Sequence, residues 1–167
     1  MAGTGLSSHE LNQPGTYQET TDTTITAQFK TIPESLPEEI KDEIALYILA
    51  WTTTPWTLPS NTALTIGKKI DYLIIRTFNQ YTFKPIRVLI AKDLIKKQFG
   101  EKFIESPSVD NYKPSDKKIP YKIESELKGS ELLGIRYEKI WSESPVPIEN
   151  SENAYRIISG DFVTTDE

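Results

Sequence analysis

No cysteine occurs among the 167 residues, and histidine occurs once. The first absence excludes disulfides, thiol nucleophiles and zinc–thiolate sites, and makes an intracellular setting the natural expectation. No cluster with metal-ligand spacing is visible. No apolar run approaches the ~20 residues that a membrane-crossing helix needs, and the N-terminal Met1-Ala2-Gly3-Thr4-Gly5 lacks the basic and apolar regions of a signal peptide. A soluble, cytoplasmic chain without a membrane partner is expected. An excess of positive charge is missing too, and the formal net charge of −5 weighs against strong autonomous affinity for nucleic acid. Internal repeats are also missing.

What is there fits one folded unit. Hydrophobic residues make up 37% and charged residues 26%, within the globular range, and the length suits a single domain spanning 1–167. Ile25, Ala27 and Phe29 alternate with Thr24, Thr26, Gln28 and Lys30, the period of two of a half-buried strand. Pro33 and Pro37 bracket an acidic link whose carboxylates, up to Glu43, read as solvated. Ile44 to Trp51 is continuously apolar, as in a strand buried on both faces. Ala63–Ile66, Tyr72–Phe78 and Arg87–Ala91 read as β, with a turn at Asn79-Gln80. Leu94, Ile95 and Phe99 at helical spacing, with Lys92, Lys96 and Lys97 outward and Gly100 as the stop, predict one short helix covering a sheet edge. A surface loop over 106–120 precedes strands at 121–127, 135–140 and 155–159, and Gly129 and Gly134 flank a single helical turn. Many short strands with few helices predict an α+β fold, mostly β and β-barrel-like; composition alone leaves a sandwich or an OB-like barrel equally open.

The run Trp51-Thr52-Thr53-Thr54-Pro55-Trp56-Thr57-Leu58-Pro59-Ser60-Asn61 does not fit a periodic element. Pro55 and Pro59 remove backbone donors and break both helix and ladder, while three consecutive threonines alternate sides along an extended chain. The ordinary reading of a Thr-Pro loop is a strand end followed by a turn. The full string, however, resembles the threonine-rich peptide of the editing (CP1) domain inserted in class I aminoacyl-tRNA synthetases, and most closely that of the isoleucyl-tRNA synthetase family. Valyl and leucyl relatives typically carry a T-T-R-P run where this chain has Thr54 and then Trp56. Leu6-Ser7-Ser8-His9-Glu10 before Tyr17, Lys128-Gly129-Ser130-Glu131-Leu132-Leu133-Gly134 before Tyr137, and Gly160 to Glu167 are similar to the same family in its usual order.

The resemblance implies a compact editing fold and the hydrolysis of valine misattached to isoleucine tRNA, together with clearance of misactivated valyl-adenylate. It implies catalytic positioning by Thr52, Thr53 and Thr54, with Asn61 in support at the substrate. Trp56 either walls the amino-acid pocket or anchors the loop by packing. The partners implied are isoleucine tRNA, through a 3′-terminal adenosine carrying valine, and the rest of the parent synthetase. No cofactor is expected in this domain; ATP and Mg2+ belong to the parent's synthetic domain, whose H-I-G-H and K-M-S-K-S type signatures do not occur here. The chain is expected to be excised from a longer synthetase and truncated on its C-terminal side. In the family, a stretch like Thr165-Asp166-Glu167 is followed by a motif histidine and by an aspartate that holds the substrate's ammonium. Neither occurs here, so weak amino-acid capture by the isolated segment is expected, and a non-catalytic insertion that orders the tRNA acceptor end is the alternative.

Other chemistry-bearing residues are read more plainly. His9 is expected at the surface, and Asp22 and Asp161 in turns. Lys68-Lys69, Lys96-Lys97 and Lys117-Lys118 either reach tRNA phosphates or solvate a helix and two loops.

Overall fold

Residues 24–165 are described by the structure, a computed structural model. His9, Asp22 and the motif resembling the family at Leu6 to Tyr17 lie outside the described residues, as do Asp166 and Glu167. Among the described residues eight strands form, β1 Ile25–Lys30, β2 Leu46–Thr52, β3 Ala63–Ile66, β4 Asp71–Phe78, β5 Pro85–Ala91, β6 Phe103–Glu105, β7 Ile119–Lys128 and β8 Arg156–Ser159, with one α-helix, α1 Ile95–Phe99. Six of the strands make a mixed sheet in the order β1-β2-β5-β4-β7-β6, and β3 and β8 make a parallel two-stranded sheet. The fold is α+β and mostly β.

The alternation read in Thr24 to Lys30 holds, with Ala27 and Phe29 buried. β1 runs antiparallel to β2, Ile25 opposite Thr52 and Lys30 opposite Tyr47, so β1 flanks the strand that leads into the threonine run. β2 then lies parallel to β5, while β4 is antiparallel to both β5 and β7. β4 and β5 are the strands buried on both faces. Residues 73, 75, 86, 88 and 90 meet Phe99 on one side, and residues 72, 74, 89 and 91 meet Phe29, Leu132, Ile135 and Tyr137 on the other. Alternation across a pleat with cover on both faces explains their near-continuous apolar sequence.

Several expectations need correction. β2 is buried on one face only: Leu46 and Ile48 are buried, whereas Tyr47 and Leu49 are half-covered and Trp51 is exposed. Its apolar run reflects partial cover by the α1 side rather than a central place in the sheet. α1 does not cap a sheet edge; Phe99 packs with Leu73, Ile75, Ile86, Val88 and Ile90 over the central strands. The acidic link carries two short 3-10 turns, Pro33–Ser35 and Glu38–Ile40, and drives Leu36 and Ile40 into the core while Glu38 and Glu39 stay exposed. Pro120 lies within β7, opposite Ile104 of the short strand β6.

Residues 135–140 form no strand. Instead Thr31 bridges Tyr137 and Arg156 bridges Arg136. The backbone there bonds alternately to two neighbours: Ile32 N–H to Arg136 C=O and Glu138 N–H to Lys30 C=O on one side, Tyr137 N–H to Tyr155 C=O and Ile157 N–H to Ile135 C=O on the other. The segment therefore ties the end of β1 to β8, and the two sheets share one core. The predicted turn at Gly129 is present as Gly129–Leu132. A Cβ on Gly129 would lie 2.1 Å from the Gly67 carbonyl oxygen, so only glycine lets the two backbones meet.

One further device was not legible. The β4/β7 register shifts between Ile74 and Ile75, which face Ser125 and Ile123, leaving Glu124 as the extra residue of a bulge. Its carboxylate accepts from Arg76 Nε and, at 2.6 Å, from Arg87 Nε. Arg76 also reaches Asp42 at 2.5 Å, and Arg87 Nη1 donates to Ile40 C=O at 2.9 Å. The link over 38–43 is thereby fastened to the middle of the sheet. The N–H of Ile44, with Arg76 contributing, holds the Asp42 carboxyl below the usual carboxylate range.

Candidate functional site

β2 ends at Thr52, and its hydroxyl turns the chain. Thr52 Oγ1 accepts the Thr54 N–H at 3.0 Å and lies 3.3 Å from Thr54 Oγ1. This local side-chain bond replaces the ladder bond that β2 has just lost. Pro55 opens a 3-10 segment, Pro55–Ser60, with Pro59 inside it. The prolines do not prevent helical backbone here, because the segment is two tight turns end to end: Thr57 N–H to Thr54 C=O and Asn61 N–H to Leu58 C=O, both 3.0 Å. Neither bond needs a donor from a proline. Thr57 Oγ1 adds a 2.7 Å bond to Thr54 C=O. Thr53 and Thr54 are exposed, Thr52 half-buried, and among the described residues the Thr53 hydroxyl has no protein partner.

Asn61 closes the loop. Its Nδ2 donates to Ala63 C=O at 2.9 Å, and its Oδ1 accepts from the Tyr137 hydroxyl at 2.6 Å. Tyr137 is 1% exposed, stacked edge-on against Phe29 at 5.1 Å. Burial pushes its phenol up, with the nearby Tyr155 adding to the shift, so it remains a proton donor across the neutral range. Sequence reasoning placed Tyr137 only as a flank of the Lys128 to Gly134 motif; its hydroxyl on Asn61 is a finding of the fold.

The structure gathers Thr52, Thr53, Thr54 and Asn61 into one loop and leaves Trp56 on its outside. Trp56 is 69% exposed, so it is not a packing anchor among the described residues. Three cavities among the described residues, of about 500, 320 and 380 Å3, are lined by other segments, not by 52–61. With Thr53 and Thr54 exposed, the threonine loop presents neutral hydroxyls that donate and accept without titrating. Among the described residues no three histidine, aspartate or glutamate side chains gather as a metal would need. The lysine pairs at 68–69, 96–97 and 117–118 are all exposed, and Asp161 sits exposed in a turn.

Over 99% of its length the chain is 51% identical to the isoleucine–tRNA ligase of Cytophaga hutchinsonii, and 48% identical to that of Bacteroides fragilis. It is 34% identical, over 98% of its length, to the isoleucine–tRNA ligase of Treponema denticola. The chain belongs to the isoleucine–tRNA ligase family, as one segment of it. It spans 14% of the length of the Cytophaga and Bacteroides ligases. No family model matches. Among solved structures, the crystal structure of GlLeuRS-CP1 superposes with a TM-score of 0.54 at 15% identity, covering 87% of this chain and 51% of that one. The fold of this segment is thus that of GlLeuRS-CP1, and in this chain the threonine-rich loop follows β2. Among its described residues no helix is long and apolar enough to cross a membrane.

Proposed function

We propose that this segment is a single editing domain, residues 1–167, of an isoleucine–tRNA ligase, and that it hydrolyses the ester joining misattached valine to the 3′-terminal adenosine of isoleucine tRNA. It also clears valyl-adenylate. The parent, a cytoplasmic enzyme, attaches isoleucine to its tRNA with ATP and Mg2+ in another domain. The need for a second site follows from magnitudes. One methylene changes binding by only about 1–3 kcal/mol, and isoleucine against valine is the standard illustration of that limit. A site that accepts isoleucine cannot adequately refuse valine, so a smaller hydrolytic site corrects the error.

The observation that carries this reading is the hydroxyl array of Thr52, Thr53 and Thr54, braced by Asn61 on buried Tyr137. Water attacks the ester carbonyl, the bond to the ribose oxygen breaks, and valine and the free 3′ end leave. No protein nucleophile enters. Threonine hydroxyls hold the water and the adenosine and donate to the oxyanion as it forms, which is positioning and electrostatic work. Trp56, exposed beside them, is assigned to the wall of the amino-acid site, and Asn61 to substrate support.

A second reading is a non-catalytic insertion that orders the acceptor end of the tRNA. It draws on the exposure of the loop at Thr53, Thr54 and Trp56. Thr53→Ala in the complete ligase separates the two. The editing reading expects clearance of valyl-tRNA to fall by roughly 10²-fold, the usual loss for one transition-state donor, at unchanged tRNA affinity. Unchanged clearance with weakened tRNA binding would select the ordering role.

A further inference from the structure

Ala154 is extended, at φ −76° and ψ 166°, and β8 runs extended from Arg156, but between them Tyr155 has φ +57°. Among the described residues two other non-glycine residues share a positive φ, Phe83 in the turn between β4 and β5 and Asn150, a type that tolerates it. For a bulky aromatic the left-handed region is an outlier, held only where the surroundings over-determine it. Around Tyr155 those surroundings are the exit of the threonine loop and its brace.

In an extended antiparallel strand one residue's N–H and C=O point to the same neighbour. Ile157 obeys this, its N–H donating to Ile135 C=O at 2.8 Å and its C=O accepting the Gly134 N–H at 3.0 Å. Tyr155, two residues back, accepts the Tyr137 N–H at 2.9 Å on the same side, and a regular ladder would return its own N–H to Tyr137 C=O. Instead the left-handed backbone turns that N–H toward the start of β3, where it donates to Thr62 C=O at 2.6 Å. Thr62 directly follows Asn61, whose Oδ1 accepts the Tyr137 hydroxyl. Tyr155 thus grips both sides of the Asn61–Tyr137 bond, Thr62 by its N–H and Tyr137 by its C=O, and its ring stands edge-on to that of Tyr137 at 6.2 Å.

We infer that Tyr155 is a positioning residue for editing: its left-handed backbone fixes where the threonine loop ends and so, through Thr62 and Asn61, where the Thr52–Thr54 hydroxyls stand. The inference rests on the editing reading. Tyr155 acts through Thr62 and Tyr137, not on the ester. Relaxed to the extended region, it would regain a ladder bond and leave the loop exit without its donor, so backbone strain is exchanged for placement of the loop.

The test compares Tyr155→Val with Tyr155→Asn. Both remove the ring, but valine is β-branched and resists a positive φ, whereas asparagine tolerates it. In the complete ligase, kcat for valyl-tRNA clearance falls about 10- to 100-fold in Tyr155→Val at unchanged KM, the loss for a misplaced site, and Tyr155→Asn restores most of it. In NMR spectra of the 167-residue chain the Asn61 carboxamide signals move in Tyr155→Val and move less in Tyr155→Asn. Clearance that falls as far in Tyr155→Asn as in Tyr155→Val, or a loss carried by KM alone, overturns the assignment, as do unmoved Asn61 signals in Tyr155→Val. If Thr53→Ala leaves clearance intact while Tyr155→Val still moves the Asn61 signals, the editing reading fails and the hold of Tyr155 on the loop stands.

Discussion

The Tyr137 hydroxyl donates to Asn61 Oδ1 at 2.6 Å across 76 residues of sequence. This bond joins the segment that ties the two sheets together to the residue that closes the threonine loop. Tyr137→Phe removes it without changing the shape of the ring and leaves a part-buried amide oxygen unpaired. We expect a loss of about 1 kcal/mol in urea unfolding, the net worth of one such bond. Valyl-tRNA clearance by the complete ligase falls as well, because Asn61 loses its brace. An unchanged clearance rate with the expected stability loss would confine Tyr137 to folding.

The same residue sets an alkaline limit. Burial raises the phenols of Tyr137 and Tyr72 above the ordinary 10.0, the Gly67 N–H opposing the shift at Tyr72. A group with a raised folded-state pKa stabilises fully below its unfolded value and progressively less above it. Urea midpoints should therefore not fall on account of these phenols up to about pH 10 and should fall as the unfolded phenols ionise. Between pH 10 and 11 the fall should be shallower in Tyr137→Phe than in the unaltered chain. Equal slopes would assign the alkaline loss to other groups.

How legible this was depended on the range over which each feature is decided. β4, β5 and α1 with its Gly100 stop follow from local periods and one helix terminator, and they stand where the pattern put them. Thr52 to Asn61 was legible because the loop is contiguous and its turns are closed by its own hydroxyls and carbonyls. Ile135 and Tyr137 are apolar, alternating and buried, which in sequence is the mark of a strand. In the fold they meet β1 and β8 through single bridges on opposite sides, and no single neighbour runs alongside long enough for a ladder. Leu36 and Ile40 escaped notice because two core residues among carboxylates and prolines leave no measurable period. The partner of Asn61 and the Glu124 bulge are set by pairing between distant strands, on which local pattern carries no information.

Glu124 is the only carboxylate on buried Arg87, which is 4% exposed, among the described residues. Glu124→Gln keeps the shape but leaves a desolvated guanidinium with one fewer charged partner, and also loosens Arg76. The expected cost is roughly 2–3 kcal/mol in denaturant unfolding. Glu126→Gln is the control two residues away: its pair with Lys92 is exposed on both sides, and the midpoint should not move. Equal effects from the two changes would show that the bulge does not give Glu124 a special place.

Thr52 and Thr53 are neighbours with separable duties. Thr52 Oγ1 accepts the Thr54 N–H, so its hydroxyl builds the loop, whereas the Thr53 hydroxyl has no such bond among the described residues. Thr52→Ala should speed hydrogen exchange at the Thr54 amide by about fivefold or more, since that amide loses its acceptor and about 1 kcal/mol of local order with it. Thr52→Ser should restore protection, because the oxygen is retained. Thr53→Ala should leave exchange at Thr54 unchanged. Both alanine variants should slow clearance of valyl-tRNA by the complete ligase, Thr52→Ala through a misplaced loop and Thr53→Ala through a missing donor. Faster exchange at Thr54 in Thr53→Ala would mean that the second hydroxyl also holds the loop, and its loss of activity would then say nothing about chemistry.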